Sequence, residues 1–435
     1  MLHKRLLMVV SIVVLAGALV FANGGSEADG SEDGVITLQV QHYLDLADSV
    51  SSTNFQEVVD AFHAAHPNIR LEFDFLFDEA YHNKLQSTAI ADQLADVVFL
   101  WPGKRTGDVT GSGAIKDLRP WVDNMPARFA PAALTPQGPN GEIWELPEQV
   151  TATHVMFTNE RLLDELGLEF PETLEELLAQ GDVIRDAGYI PIAMDNGGGW
   201  QMQSTLLSAL VERTGGRDWF DRARVGQASF TDPEFVEAVE VVQALADNEM
   251  FSPGVNQAAY GQALTDFVTE QAVYFIDGGW RVSNLTGELN PEQYEYVALN
   301  VFPTLPNERG QAGSTAIVAG TGFGMNADLE GERAQAAWEW IYWFSGPQGS
   351  AIKAQQGWLP AVQIDLPADS PVLTLKLAEF VGSTPGGYVI DAVMDAEGMG
   401  VLHPALQELI FGNLTPQEVG ERYEAWVAAN DSSRS

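Results

Sequence analysis

Apolar and polar positions follow two rhythms along this chain, one of period two and one of about 3.6, and they take turns. From Val35 the run VITLQV reads as a short buried strand. In SSTNFQEVVDAFHAAHP, Phe55, Val58, Val59 and Phe62 recur at helical spacing, with Asn54 as the expected cap, Glu57 three residues on and Pro67 as the stop. NIRLEFDFLF then alternates, placing Ile69, Leu71, Phe73, Phe75 and Phe77 on one face of a strand. A helix is expected around Tyr81–Asp92, and ADVVFLW is a continuous apolar run suited to a strand covered on both faces. Strand, helix, strand, helix, strand predicts a doubly wound α/β unit.

A second series starts near Thr151. THVMF and YIPIAM read as strands; NERLLDELGL and PETLEELLAQGDVIRDAG read as helices, the longer one opening on a proline and closing on a glycine. Further helices are expected over Gln201–Glu212, Asp232–Asp247 and near Tyr260–Thr269, the last feeding a strand from Ala272 to Ile276. ERAQAAWEWIYWFS and PQEVGERYEAWVAA complete the helical set, and Trp338, Trp340 and Trp343 inside the first of these are read as core. At 435 residues the chain is too long for one ordinary core, so two lobes of roughly 200 residues each are expected.

The formal charge of −39 argues against nucleic acid and anionic membrane surfaces, and disfavours anionic ligands unless a site is locally basic. It leaves neutral and cationic ligands open, and also fits a solvation device for a salty habitat. The N-terminus, with HKR followed by an apolar run from Leu6 to Phe21 and the small-residue pattern Val20-Phe21-Ala22, reads as a signal peptide over residues 1–22. Its removal takes Lys4 and Arg5 away, so the mature charge is −39 − 2 = −41. Residues 23–34 form an acidic Gly/Ser-rich tether. There are no cysteines, which excludes disulfides, thiolate metal sites and a lipid-anchor cysteine, so a freely soluble protein in the periplasm is expected.

In open α/β sheets, ligands bind beyond the carboxyl ends of the strands. That rule selects QHYLD, LWPGKR, DNGGGW and DGGW, three carrying a tryptophan and one a tyrosine. Indole faces match the C–H faces of a sugar ring, while carboxylates, amides and cationic groups bond its hydroxyls. Trp101, Trp200 and Trp280, with Asp45, Lys104 and Asn196, supply that mixture. Trp280 is read as a stacking platform, its loop position permitted by Gly278 and Gly279. Trp101 and Trp200 stay open between platform and core, and His154 between a ligand contact and a satisfied histidine at the lobe boundary. The scattered histidines point to no metal, GTGFG at 320–324 lacks the residues of a phosphate loop, and there is no G-x-S-x-G elbow. No catalytic residue and no cofactor are expected.

In order along the chain, these segments resemble the extracellular solute-binding proteins of the family-1, carbohydrate class that serve ABC importers, the maltose-binding type among them. FQEVVDAFHAAHPNIRLEF, ADVVFLW (with Ala95 for the usual proline), GAIKDLRPWV, GEIWELPEQVTATHVMFTNERLLDELGL, PETLEELLAQGDVIRDAGYIPIA and QGWLPA follow the family's order. AVYFIDGGW is similar to its Gly-x-Trp element, with Val273-Tyr274 for Ala-Met. The resemblance spans about Val35 to Ala429. It implies a two-lobed α/β periplasmic-binding-protein fold of the class II type, with a hinge and an interlobe cleft. One lobe is expected to take residues 35–150 with 319–360, the other 151–318 with 361–435. Carried over by position, Trp101 and Trp280 are implied ligand contacts. His154 stands where relatives often have tyrosine, ahead of Phe157-Thr158-Asn159. Gly320 and Thr321 match a backbone-contact stretch, and Tyr43 and Asp45 match a loop of variable length. The expected partners are a neutral sugar or oligosaccharide and the permease subunits of an importer, with the protein itself a monomer. A secreted glycosidase and a binder of cationic ligands such as polyamines are the alternatives.

Overall fold

The computed structural model describes residues 34–430 apart from 136 and 395. The expected signal peptide (1–22) and all but Gly34 of the expected tether lie outside the described residues. The first sheet has the order β2-β1-β3-β11-β4. Strand β1 (Ile36–Tyr43) runs parallel to β2 (Ile69–Leu76) in unbroken register from Ile36↔Ile69 to Tyr43↔Leu76. The apolar run in β3 (Val97–Leu100) is buried throughout, because it lies between β1 and the antiparallel β11 (Gly322–Met325). The short β4 (Leu146–Pro147) closes the far edge. Alternation in β2 fits its edge position: Ile69 and Leu71 are buried while Arg70 and Glu72 face solvent. Phe55, Val58, Val59 and Phe62 of the helix Ser49–Ala65 join this core, with Trp340 of the helix Gly331–Ser345.

That first helix begins earlier than its apolar spacing indicates. Asp48 is the cap, accepting from the Ser51 N–H at 3.0 Å, and Asn54 sits inside the helix. The polar stretch before Phe55 carries no apolar beat to mark a start, and an Asp with three helix-compatible residues behind it captures the free amides first.

The second lobe is built on a sheet of order β7-β8-β6-β9. Strand β6 (Val155–Asn159) pairs antiparallel with β8 (Ala272–Asp277) and β9 (Val297–Asn300), and β7 (Ile190–Ala193) lies parallel to β8. Both faces are covered. Met156 and Ile276 feed one core, closed by the helices Ala396–Ile410 and Pro416–Asn430 through Leu402, Leu406 and Tyr423. Val155, Phe157 and Phe275 feed the other, closed by Leu373 and Leu377 of the helix Val372–Ser383.

A third sheet joins the lobes, with β10 (Thr315–Ala319) between β5 (Val150–Ala152) and β12 (Gly386–Gly387). The chain runs from β4 toward β6 through Glu148 and Gln149 and returns toward β11 through Gly320 and Thr321. A third connection runs from Trp358 to the helix Val372–Ser383, with Ala361 and Val362 still packed in the first core beside Phe129. This third connection is pinned to the first by Val150 N–H to Leu359 O at 3.0 Å.

Candidate functional site

The strand ends of both lobes face one cavity of about 270 Å³, floored by the three connecting segments. From the first lobe come Tyr43 at the end of β1 and Asp45 after it, Phe77 and Asp78 after β2, and Trp101 and Arg105 after β3; from the second come Trp200, Tyr260, Trp280 and Arg281. Aromatic contacts run from wall to wall. Tyr43 meets Trp101 edge-on at 4.9 Å and Phe77 at 4.9 Å. Phe77 reaches Tyr260 of the opposite lobe at 5.6 Å, and Tyr260 lies 5.2 Å from Trp200, which is 6.2 Å from Trp280.

Trp280 is half-buried at the end of β8, with its indole N–H donating to Tyr260 Oη at 2.9 Å. The glycines before it act through space rather than through backbone freedom, since neither has a positive φ. A Cβ on Gly278 would sit 2.3 Å from two carbons of the Trp280 benzo ring and 2.4 Å from a third, so the indole folds back over a position that no larger residue can fill. Beneath Tyr260, Arg281 lies 3.8 Å from the ring centroid and donates through Nε to Asp277 at 2.7 Å. Burial pushes the Asp277 carboxyl up, while Arg281 and the Gly278 N–H pull it down.

The floor carries a second buried ion pair, Lys353 Nζ to Glu148 Oε2 at 3.0 Å, with Lys353 also 3.8 Å from the Phe344 ring centroid. Burial lowers the Lys353 pKa and Glu148 opposes that shift. His42, walled by Phe55, Phe99 and Phe323, is lowered to about 3 by burial and then by Lys353, so it is neutral. Lining carboxylates and lining cations are both present: Asp45, Asp48, Asp78, Glu148 and Asp391 against Arg105, Arg281 and Lys353. Most of the carboxylates are engaged, Asp391 by Gln203 and Ser204, Asp48 by Ser51 and Asn284, Glu148 by Lys353. Five polar atoms of lining residues, His42 Nδ1, Asp78 Oδ1, His82 Nδ1, the Trp200 indole N–H and Arg281 Nη2, are buried with no hydrogen-bond partner among the described residues.

Of the residues singled out from sequence, Tyr43, Asp45, Trp101, Trp200, Trp280, Gly320 and Thr321 line this cavity. Lys104, His154 and Asn196 do not. Lys104 and Arg105 share the tight turn Gly103–Thr106, where successive side chains point in different directions, and Arg105 is the one that reaches the cavity. His154 is fully buried with Nδ1 2.8 Å from Thr205 O; in and just after β5, Thr151 and Thr153 line the cleft, while His154, in the link to β6, turns into the second lobe. The Asn196 amide is used within its own lobe, donating to Asn256 Oδ1 at 2.9 Å and accepting from Met202 N–H at 3.3 Å. Phe77, Asp78, Arg105, Tyr260 and Arg281 were missed. Phe77 and Asp78 were discoverable, because they directly follow the carboxyl end of the alternating strand β2, where the strand-end rule applies.

The lobes touch around the cavity. Asn54 Nδ2 donates to Ser283 Oγ at 3.0 Å and Asn284 Nδ2 to Asp48 Oδ2 at 2.8 Å, while Arg105 Nη1 lies 2.9 Å from Met399 Sδ. The arrangement can enclose a small molecule between aromatic faces and a balanced set of hydrogen-bonding groups.

The model of the family described as bacterial extracellular solute-binding protein matches residues 47–351. A putative binding protein of Brucella abortus is 22% identical over 415 residues, covering 93% of this chain and 94% of that protein. An uncharacterized ABC transporter extracellular-binding protein of Pyrococcus horikoshii is 24% identical over 188 residues, and that match spans 41% of this chain and 43% of that protein. Among solved structures, one from work on xylan utilization by Caldanaerobius polysaccharolyticus aligns with a TM-score of 0.82 at 18% identity, covering 90% of this chain and 100% of that one. A chitin oligosaccharide binding protein aligns at 0.80 and 20% identity, covering 91% and 99%. These likenesses establish the two-lobed fold.

Proposed function

We propose a function for a chain that belongs to the bacterial extracellular solute-binding protein family: it captures a neutral sugar or short oligosaccharide and hands it to the permease of an ABC importer. The observation that carries this reading is the ring of indole and phenol groups from both lobes around one cavity, Trp101 and Tyr43 on one side and Trp200, Tyr260 and Trp280 on the other. Flat apolar faces suit the C–H faces of a pyranose, and the polar groups between them suit its hydroxyls. The binding of chitin oligosaccharide by one fold neighbour supports the same ligand class. Proteins of this family are extracellular or periplasmic. We place this one in the periplasm after cleavage near Ala22, acting as a monomer without nucleic acid, cofactor or catalytic step.

We assign residues 35–150 with 319–364 to one lobe and 151–318 with 365–435 to the other, the last boundary lying past the expected 360 because Ala361 and Val362 pack in the first core. The ligand contacts are assigned to Tyr43, Asp45, Trp101, Trp200, Trp280, Gly320 and Thr321. Capture proceeds by closure of the lobes about the three connecting segments, driven by the ligand's greater affinity for the closed form. The wall favours an uncharged ligand over a polyamine, because most of its carboxylates are already engaged by protein groups, Asp391 by Gln203 and Ser204, Asp48 by Ser51 and Asn284, and Glu148 by Lys353. A thermal-shift panel of neutral saccharides and polyamines tests this. Stabilisation by a saccharide, with no shorter sugars appearing on incubation, supports the reading. Stabilisation by polyamines alone, or release of shorter sugars, rejects it.

A further inference from the structure

Resting on the carbohydrate reading above, we infer that the cavity holds a mono- or disaccharide whole, rather than gripping one end or a middle segment of a longer chain. The seams around it carry the inference. Beside the helix Ser49–Ala65, a Cβ on Gly287 would stand 3.0 Å from Val50 Cγ1, and the Asn284–Asp48 and Asn54–Ser283 hydrogen bonds lie along the same seam. At the turn after β3, a Cβ on Gly103 would stand 2.8 Å from Ala392 Cα. At the end of β2, a Cβ on Gly198 would stand 3.0 Å from Asp78 Oδ2, next to the Phe77–Tyr260 ring contact.

Each seam therefore has a glycine where the opposite lobe comes within reach of a side chain's first atom. The remaining side is the floor of connecting segments, where Val150 N–H bonds Leu359 O at 3.0 Å. A linear chain of three or more rings has to leave through one of these seams, and doing so separates groups that touch when the lobes are closed. The cavity of about 270 Å³ lies just under the ~300–1,000 Å³ of ordinary small-molecule sites, which agrees with a small ligand.

Opening a seam forfeits its interlobe hydrogen bonds, so affinity should fall at least about tenfold on passing from two sugar units to three. The test is calorimetric titration of the mature protein with one to four units of β-1,4-linked xylose, β-1,4-linked N-acetylglucosamine and α-1,4-linked glucose. The expected result is that any series that binds does so most tightly at one or two units and at least about tenfold more weakly from three units upward. Trimers or tetramers bound as tightly as dimers would overturn this inference while leaving the carbohydrate reading intact. Failure of every member of all three series would overturn the carbohydrate reading, and this inference with it.

Discussion

Asn284 donates its amide to Asp48 Oδ2 at 2.8 Å, and the same Asp48 carboxylate caps its own helix through the Ser51 N–H at 3.0 Å. One side chain thus fixes the start of a helix in the first lobe and the position of a helix in the second. Because Asn284 meets Asp48 only when the lobes are together, the bond favours the closed form. Removing it with Asn284→Ala should weaken ligand binding by about 1–2 kcal/mol, roughly tenfold, mostly as faster dissociation. Stopped-flow release of bound sugar, beside a melting curve close to wild type, checks this.

Trp280→Ala should cost about 1–3 kcal/mol of binding, through the apolar area lost against a sugar face. Trp280→Phe should keep most of that energy but lose the bond to Tyr260 Oη, seen at 2.9 Å. Calorimetry on both variants separates stacking from the hydrogen bond. Equal affinity in wild type and Trp280→Ala would return the indole to a purely structural role.

At the floor, Lys353 and Glu148 are both almost wholly buried and 3.0 Å apart. Lys353→Met leaves an uncompensated carboxylate and should destabilise the protein by about 3–5 kcal/mol. The double change Lys353→Met with Glu148→Gln should recover a large part of that loss. Urea unfolding of the three proteins gives the comparison.

His154 is fully buried, and burial lowers its pKa to about 4, against 6.5 for the free side chain. The unfolded chain takes up this proton first, so the contribution is fully present above pH 6.5 and is lost as the pH falls toward 4. Relative to His154→Asn, the wild type should lose up to ~3 kcal/mol of stability between pH 7 and pH 4. Unfolding curves of both proteins at the two pH values check it; a pH-independent difference would contradict it.

Much of the fold was legible because periodicity reports burial. The all-apolar ADVVFLW is the covered β3, the alternating NIRLEFDFLF is the edge strand β2, and the rule of strand ends led to four loops that carry lining residues. What stayed hidden depends on direction rather than position. Lys104 and Arg105 are adjacent, and only the turn decides which faces the cavity. His154 differs from Thr153 by one chain position in the link between β5 and β6, enough to reverse its face. The purpose of Gly278 was equally hidden, because an indole folded back over its own loop is a tertiary fact.

Titration of intrinsic tryptophan fluorescence with a library of neutral saccharides tests the central claim most directly. Trp101, Trp200 and Trp280 all line the cavity, so an enclosed sugar must alter their surroundings. The account predicts a saturable change with at least one uncharged saccharide, weakened about tenfold or more in Trp280→Ala. A saturable response to polyamines with none to any neutral sugar would contradict it.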